Sequence, residues 1–129
     1  MSVSILVVDD EPDVANLFRQ CFRREARDGT YVLHFAYSGE EALDKLAAGI
    51  EPRLRVILSD INMPVMDGLE LLRQIKTRRP DLPVMMVTAY GDDERRHLAG
   101  EYGAAEFITK PVDFDFLKTQ LRDLSDAAD

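Results

Sequence analysis

The sequence predicts an α/β fold, a parallel sheet of five strands with helices on both faces, and two observations carry that expectation. Five short apolar runs rich in β-branched residues alternate along the chain with helical patterns, the order expected of βα units. Three of those runs, at Ile5, Val56 and Val84, are apolar throughout. Strands covered on both faces read that way, whereas half-exposed strands alternate. These three are therefore expected at the centre of the sheet.

The first strand is expected near Ile5 to Val8. The first helix follows, with Pro12 in its first turn and a stripe of Val14, Leu17, Phe18, Cys21 and Phe22 facing the sheet. After a second strand from Tyr31 to Phe35, Ser38 and Glu41 have capping-box spacing and open a helix through Ala42, Leu43 and Leu46, closed by Gly49 and Pro52. The third strand, Val56 to Leu58, leads to a helix that starts after Asp67 and Gly68, carries Leu69, Leu71, Leu72 and Ile75, and stops before Pro80 and Pro83. Beyond a fourth strand, Val84 to Val87, the fourth helix from Asp92 to Tyr102 offers little apolar stripe beyond Leu98, Ala99 and Tyr102. It should be held weakly by its own packing. A fifth strand, Glu106 to Ile108, precedes a last helix with Phe114, Leu117, Leu121 and Leu124, and Leu124 to Asp129 reads as a fraying tail.

The 129 residues fit one domain, expected to span 1–129 with its core at about 3–124. Sixteen basic against 24 acidic residues give a net charge of −8, which argues against direct nucleic-acid binding. No apolar stretch is long enough for a membrane span, the N-terminus lacks the pattern of a signal peptide, and the single cysteine, Cys21, cannot form an internal disulfide. A cytoplasmic location is expected. The basic groups Arg73, Lys76, Arg78, Arg79, Arg95 and Arg96 read as solvated helix faces.

In an open parallel sheet, ligands bind outside the carboxyl ends of the strands. There the chain places Asp9 and Asp10 after strand one, Asp60 after strand three, Thr88 after strand four and Lys110 after strand five. Three converging carboxylates repel one another unless a cation sits between them, and Mg²⁺, or Mn²⁺ in its place, suits an all-oxygen ligand set. Asp60 is the best placed nucleophile for forming an aspartyl phosphate. Lys110 can pair with a phosphate oxygen and the Thr88 hydroxyl can hydrogen bond another. Taken alone, an Asp pair after a strand is more often a helix cap, and an isolated Thr or Lys in these places is unremarkable; it is the ordered set that points to phosphoryl chemistry.

Val7 to Pro12 (VVDDEP), Ser59 to Gly68 (SDINMPVMDG), Val87 to Ala89 (VTA) and Ile108 to Pro111 (ITKP) together resemble the response regulator receiver domains of bacterial two-component systems, over nearly the whole chain. The resemblance implies a doubly wound, flavodoxin-like sheet of order 2-1-3-4-5 with five helices. It implies Asp60 as phosphoacceptor and Mg²⁺ bound by Asp10, Asp60 and the Asn62 backbone carbonyl, with Asp9 bound through water. Lys110 would hold the phosphoryl group and be joined to Pro111 by a cis peptide. Thr88 and Phe107 would be the switch residues. Phe107 lacks the hydroxyl of the frequent Tyr, which leaves its inward and outward positions to packing. Asn62 and Tyr90 would tune the lifetime of the phosphate.

The partners so implied are a sensor histidine kinase or phosphotransfer protein, a downstream protein or covalently linked output domain, and a second copy docked through the fourth helix, fifth strand and last helix. The chain is expected to catalyse only its own phosphorylation and dephosphorylation. A phosphorelay intermediate and an aspartyl-phosphate hydrolase are the alternatives. The hydrolase would need a second acid where Asn62 stands. A flavin or nucleotide carrier would need a Gly- or Ser/Thr-rich phosphate loop where Asp9, Asp10 and Glu11 stand. His34, His97 and Cys21 read as structural residues. Met63 and Met66 read equally as loop packing or as apolar atoms for a partner.

Overall fold

A computed structural model describes residues 2–88 and 92–124 of the chain, with helical backbone continuing to 127. Its elements follow in the order β1 (Val3–Val8), α1 (Pro12–Cys21), α2 (Arg23–Arg27), β2 (Tyr31–Ala36), α3 (Gly39–Ala48), β3 (Leu54–Asp60), α4 (Gly68–Arg78), β4 (Val84–Thr88), α5 (Asp93–Glu101), β5 (Glu106–Thr109) and α6 (Phe114–Ala127). All strand pairs are parallel and the sheet order is β2-β1-β3-β4-β5. The expected topology and the three expected central strands are therefore observed.

Continuous apolar runs are required because successive side chains of a strand point to opposite faces. Leu6, Val8, Ile57, Val84 and Met86 enter one core, under Leu43 of α3, Leu71 and Ile75 of α4 and Ala99 of α5. Ile5, Val7, Val56, Leu58, Met85 and Val87 enter the other, under Phe18 of α1 and Leu117 and Leu121 of α6. The edge strands β2 and β5 are only partly covered along their lengths.

Local signals place several helix starts. The Ser38 hydroxyl accepts from the Glu41 N–H at 3.0 Å, and the Glu41 carboxylate accepts from the Tyr37 N–H at 2.6 Å, so the reciprocal contact of the capping box falls one residue earlier than its usual target. Asp67 caps α4 by accepting from the Glu70 N–H at 2.9 Å. Gly49 ends α3 at φ 95°, a region favourable to glycine.

The first helix departs from expectation. Phe22 leaves helical geometry at φ −105°, ψ 15°, so one predicted helix becomes α1 and the five-residue α2, making six helices among the described residues. Phe22 is fully buried, stacked on Phe18 with ring centres 5.9 Å apart and set edge-on to Tyr31 and Phe114. Because α2 buries no residue, it leaves no apolar stripe to betray it. Leu17, assigned to the buried stripe, is 46% exposed. At the other end the chain stays helical to Ala127, beyond Leu124 where fraying was expected. The weak stripe of α5 is observed, with Ala99 its one buried residue.

Among the described residues, no helix is long and apolar enough to cross a membrane. Removing the Phe22 ring should leave a cavity where both aromatic contacts and burial are lost, so Phe22→Ala should lower unfolding stability by about 3–5 kcal/mol. Urea denaturation measures this, and a loss well under 1 kcal/mol would mean that Phe22 does not anchor the break.

Candidate functional site

The carboxyl ends of β1 and β3 are adjacent in the sheet, and this adjacency brings the predicted acids together. Val8 pairs with Ser59, so Asp9 and Asp10 emerge beside Asp60. Carboxylate oxygens of Asp9, Asp10 and Asp60 all lie within 4.8 Å of one another. Asp9 and Asp60 are buried, and Asp10 is partly exposed.

Lys110 reaches this cluster from beyond β5. Its Nζ lies 3.0 Å from Asp60 Oδ2 and 3.9 Å from Asp9 Oδ2. Burial opposes its charge, yet the hydrogen bond and charge of Asp60, helped by Asp9 and Glu11, hold the ammonium above its ordinary pKa. The Lys110–Pro111 peptide is cis, and the Lys110 N–H donates to the Thr88 carbonyl at 2.9 Å. Thr88 is buried at the end of β4, one residue past the Asp60–Val87 pair.

Asp9 also fills the bland role of local turn stabiliser, since its Oδ1 accepts from the Glu11 N–H at 3.0 Å. Burial raises its pKa first of all. The Glu11 N–H opposes that shift, Asp60 adds to it, Lys110 opposes and Asp10 adds, leaving a net rise. A divalent cation fits this donor set: every ligand atom is a hard oxygen, and the strain of like charge is greatest where the ion would sit. The Asn62 backbone lies next to the cluster, its N–H 3.3 Å from Asp60 Oδ1.

Phe107 is half-buried on β5 opposite Met86, with the Arg96 guanidinium carbon 5.0 Å from its ring centre. Tyr90 lies outside the described residues. Met63 is buried, and Met66 packs against the helix start at Gly39, so loop packing accounts for both methionines. Val65 is instead the exposed apolar residue of this loop, at φ 68°, a strained geometry for a β-branched side chain.

Two features escaped the sequence reading. A Cβ at Gly68 would stand 2.2 Å from the Asp60 carbonyl oxygen and 2.7 Å from Ile61 Cα, so only glycine lets α4 begin against the base of the site. The other is Arg95, taken for a solvated residue, whose Nη1 donates to Asn62 Oδ1. Nothing in its local sequence marks this, because the contact joins the first turn of α5 to the loop after β3, 33 residues away.

The model of the response regulator receiver domain family matches residues 5–122. The chain belongs to that family. It is 36% identical over 124 residues to the response regulator MprA of Mycobacterium tuberculosis, an alignment covering 96% of this receiver and 51% of that protein. The receiver thus spans about half the length of the curated relatives it matches first. Among solved structures it superposes on a receiver domain protein of Clostridium thermocellum with TM-score 0.86 at 26% identity, covering 98% of this chain and 96% of that one. It also matches the response regulator TrrA of Thermotoga maritima, solved in complex with Mg²⁺-BeF, with TM-score 0.77 and 34% identity, covering 94% and 97%.

The raised Asp9 pKa has a definite sign for stability. A carboxylate whose folded pKa exceeds its unfolded value favours the fold at acid pH, and that contribution is lost as pH rises from the ordinary value of 3.8 through the raised one. At neutral pH, in chelator and without divalent ions, Asp9→Asn should therefore unfold at a higher temperature than the parent, and the gap should close toward pH 3. An Asn side chain can still accept from the Glu11 N–H. A melting temperature at or below the parent's at pH 7 would show that the buried Asp9 charge and its repulsion by Asp60 and Asp10 do not set the cost.

Proposed function

We propose that this receiver is a phosphorylation-dependent signalling switch in which Asp60 accepts a phosphoryl group from the phosphohistidine of a sensor histidine kinase or phosphotransfer protein, or from a small acyl phosphate. The observation that carries the reading is the pairing of Asp60 with Lys110 at 3.0 Å inside a cluster completed by Asp9 and Asp10. A nucleophilic carboxylate, a fixed cation and two further acids suited to a divalent ion supply what phosphoryl transfer asks of a protein, namely positioning and charge neutralisation.

Asp10, Asp60 and the Asn62 backbone carbonyl would hold Mg²⁺ directly, and Asp9 would hold it through water. Bound there, the ion supplies positive charge to the oxygens of the transferring group. An Asp60 carboxylate oxygen attacks phosphorus, the bond from phosphorus to the donor nitrogen or acyl oxygen breaks, and the leaving group keeps the electron pair. Lys110 moves its ammonium from the carboxylate to a phosphate oxygen. In a separate hydrolytic step water attacks phosphorus, the bond from phosphorus to the Asp60 oxygen breaks with its electron pair staying on the carboxylate, and inorganic phosphate departs while the water's proton passes to the phosphate or to solvent. Asn62 cannot act as a general acid or base, which supports self-dephosphorylation over turnover of foreign phosphoesters.

The Thr88 hydroxyl then hydrogen bonds the phosphoryl group, and the volume it vacates lets the Phe107 ring turn inward. Together these movements alter the face formed by α5, β5 and α6. That face would bind a downstream protein, an output domain in the same chain, or a second copy. Residues 1–129 act in this reading as one receiver unit with its core at 3–124, placed in the cytoplasm, where such kinases present their phosphohistidine.

Incubation with an acyl phosphate and Mg²⁺ should add one phosphoryl mass to the parent, and intact-protein mass spectrometry should find none on Asp60→Asn. Chelation of the divalent ion should abolish loading. Equal loading of parent and variant would remove Asp60 as acceptor.

A further inference from the structure

Arg95 stands in the first turn of α5, and its guanidinium reaches back over the strand ends. Its Nη1 donates to Asn62 Oδ1, and its Nε lies 4.0 Å from Asp92 Oδ2. Asn62 in turn touches the acceptor through its own N–H, 3.3 Å from Asp60 Oδ1. Lys110 holds the opposite oxygen, Oδ2, at 3.0 Å. Two cations therefore flank the acceptor carboxylate, Lys110 directly and Arg95 at one residue's remove.

Their electrostatic situations differ. Lys110 is engaged by Asp60, Asp9 and Glu11. Arg95 has a neutral amide as its close partner and one carboxylate at the outer limit of ion pairing, and its side chain is 42% exposed. It borders a cleft of about 500 Å³ lined also by Asn62, Val65 and the carboxylates of Asp67 and Glu70, and is the one cation among the described residues lining that cleft. A planar guanidinium held by a neutral carbonyl oxygen exchanges that partner readily for a phosphate, with which its fork makes stronger, charge-assisted bonds. Such a group has a use, because a dianionic donor at Asp60 meets the carboxylates of Asp9 and Asp10, and the cleft beside Arg95 carries Asp67 and Glu70.

We propose that Arg95 is the second cation of the phosphoryl site: it releases Asn62 Oδ1 to meet the phosphate of the incoming donor, and so determines which donors load Asp60 efficiently. This assignment rests on the receiver reading of Asp60. It makes Arg95 a specificity-determining residue, distinct from Lys110, which stays with the transferred group.

Initial loading rates at low ionic strength, with a dianionic acyl phosphate and with phosphoramidate, whose net charge is lower, test the assignment in the parent, Arg95→Met and Arg95→Lys. Methionine keeps an apolar stem without the charge. It should slow loading from the acyl phosphate by about three- to tenfold, as expected for loss of a steering cation. The loss should be smaller with phosphoramidate and should shrink as salt is raised. Lysine should recover most of the rate. Parent-like loading of Arg95→Met from the acyl phosphate overturns the assignment. So does an equal, salt-insensitive loss with both donors, which is what a structural effect on the loop would give. Loading of Asp60→Asn at the parent's rate would instead remove the receiver reading, and the assignment with it. A readout independent of loading is the Asn62 side-chain amide resonance during titration with inorganic phosphate. It should shift in the parent and stay fixed in Arg95→Met, and a parent resonance that does not move counts against the assignment.

Discussion

Mutual repulsion among Asp9, Asp10 and Asp60 is the constraint around which the rest of the molecule is arranged. Three carboxylates with oxygens inside 4.8 Å stay together only because β1 and β3 are locked side by side in the middle of the sheet. The rigidity comes from two apolar cores, one on each face, which leave those strands no freedom to splay. The raised pKa of Asp9 reflects first its burial and then the charges of Asp60 and Asp10, which the Glu11 N–H and Lys110 offset in part. In the proposed function this site gains most when a divalent cation and a phosphoryl group arrive together, since each supplies what the other lacks.

The proposed switch also needs an element that can move, and α5 suits that role. Only Ala99 of this helix is buried, so apolar packing holds it weakly. Arginines and aromatic rings supplement that packing: Arg95 joins it to Asn62, Arg96 lies over Phe107 and Arg73 of α4 lies 5.6 Å from the Tyr102 ring centre. The two cation–π contacts, at exposed positions, contribute about 0.5–1 kcal/mol each, so a local change of charge can rearrange them without unfolding the domain. A helix fixed by a broad apolar face could not be shifted so cheaply.

Glycine 68 links the rigid and the mobile parts. Its missing side chain lets α4 start against the Asp60 carbonyl, and its N–H donates to the Ile61 carbonyl at 2.7 Å. The loop from Asn62 to Asp67 is thereby held tightly at the β3 end, and Val65 accepts a strained φ at its exposed tip. Met63 is buried beneath this loop, and Met66 is partly buried against the start of α3.

Much of this was legible in the sequence. Uninterrupted apolar runs marked the central strands because each strand serves two cores, and Asp9, Asp10, Asp60, Thr88 and Lys110 could be placed at one edge because residues after parallel strands gather there. Family membership was equally legible, since four motifs in fixed order leave little room for coincidence. Tertiary structure alone decided the break at Phe22, the exposure of Leu17, the reach of Arg95 to Asn62 and the reason for Gly68. The physical ground is the same in each case: periodicity and capping report on neighbours within one element, whereas these features are contacts between elements distant in sequence. What the sequence by itself determined was therefore the chemistry available at the strand ends, and what only the folded chain decided was which charges face one another there.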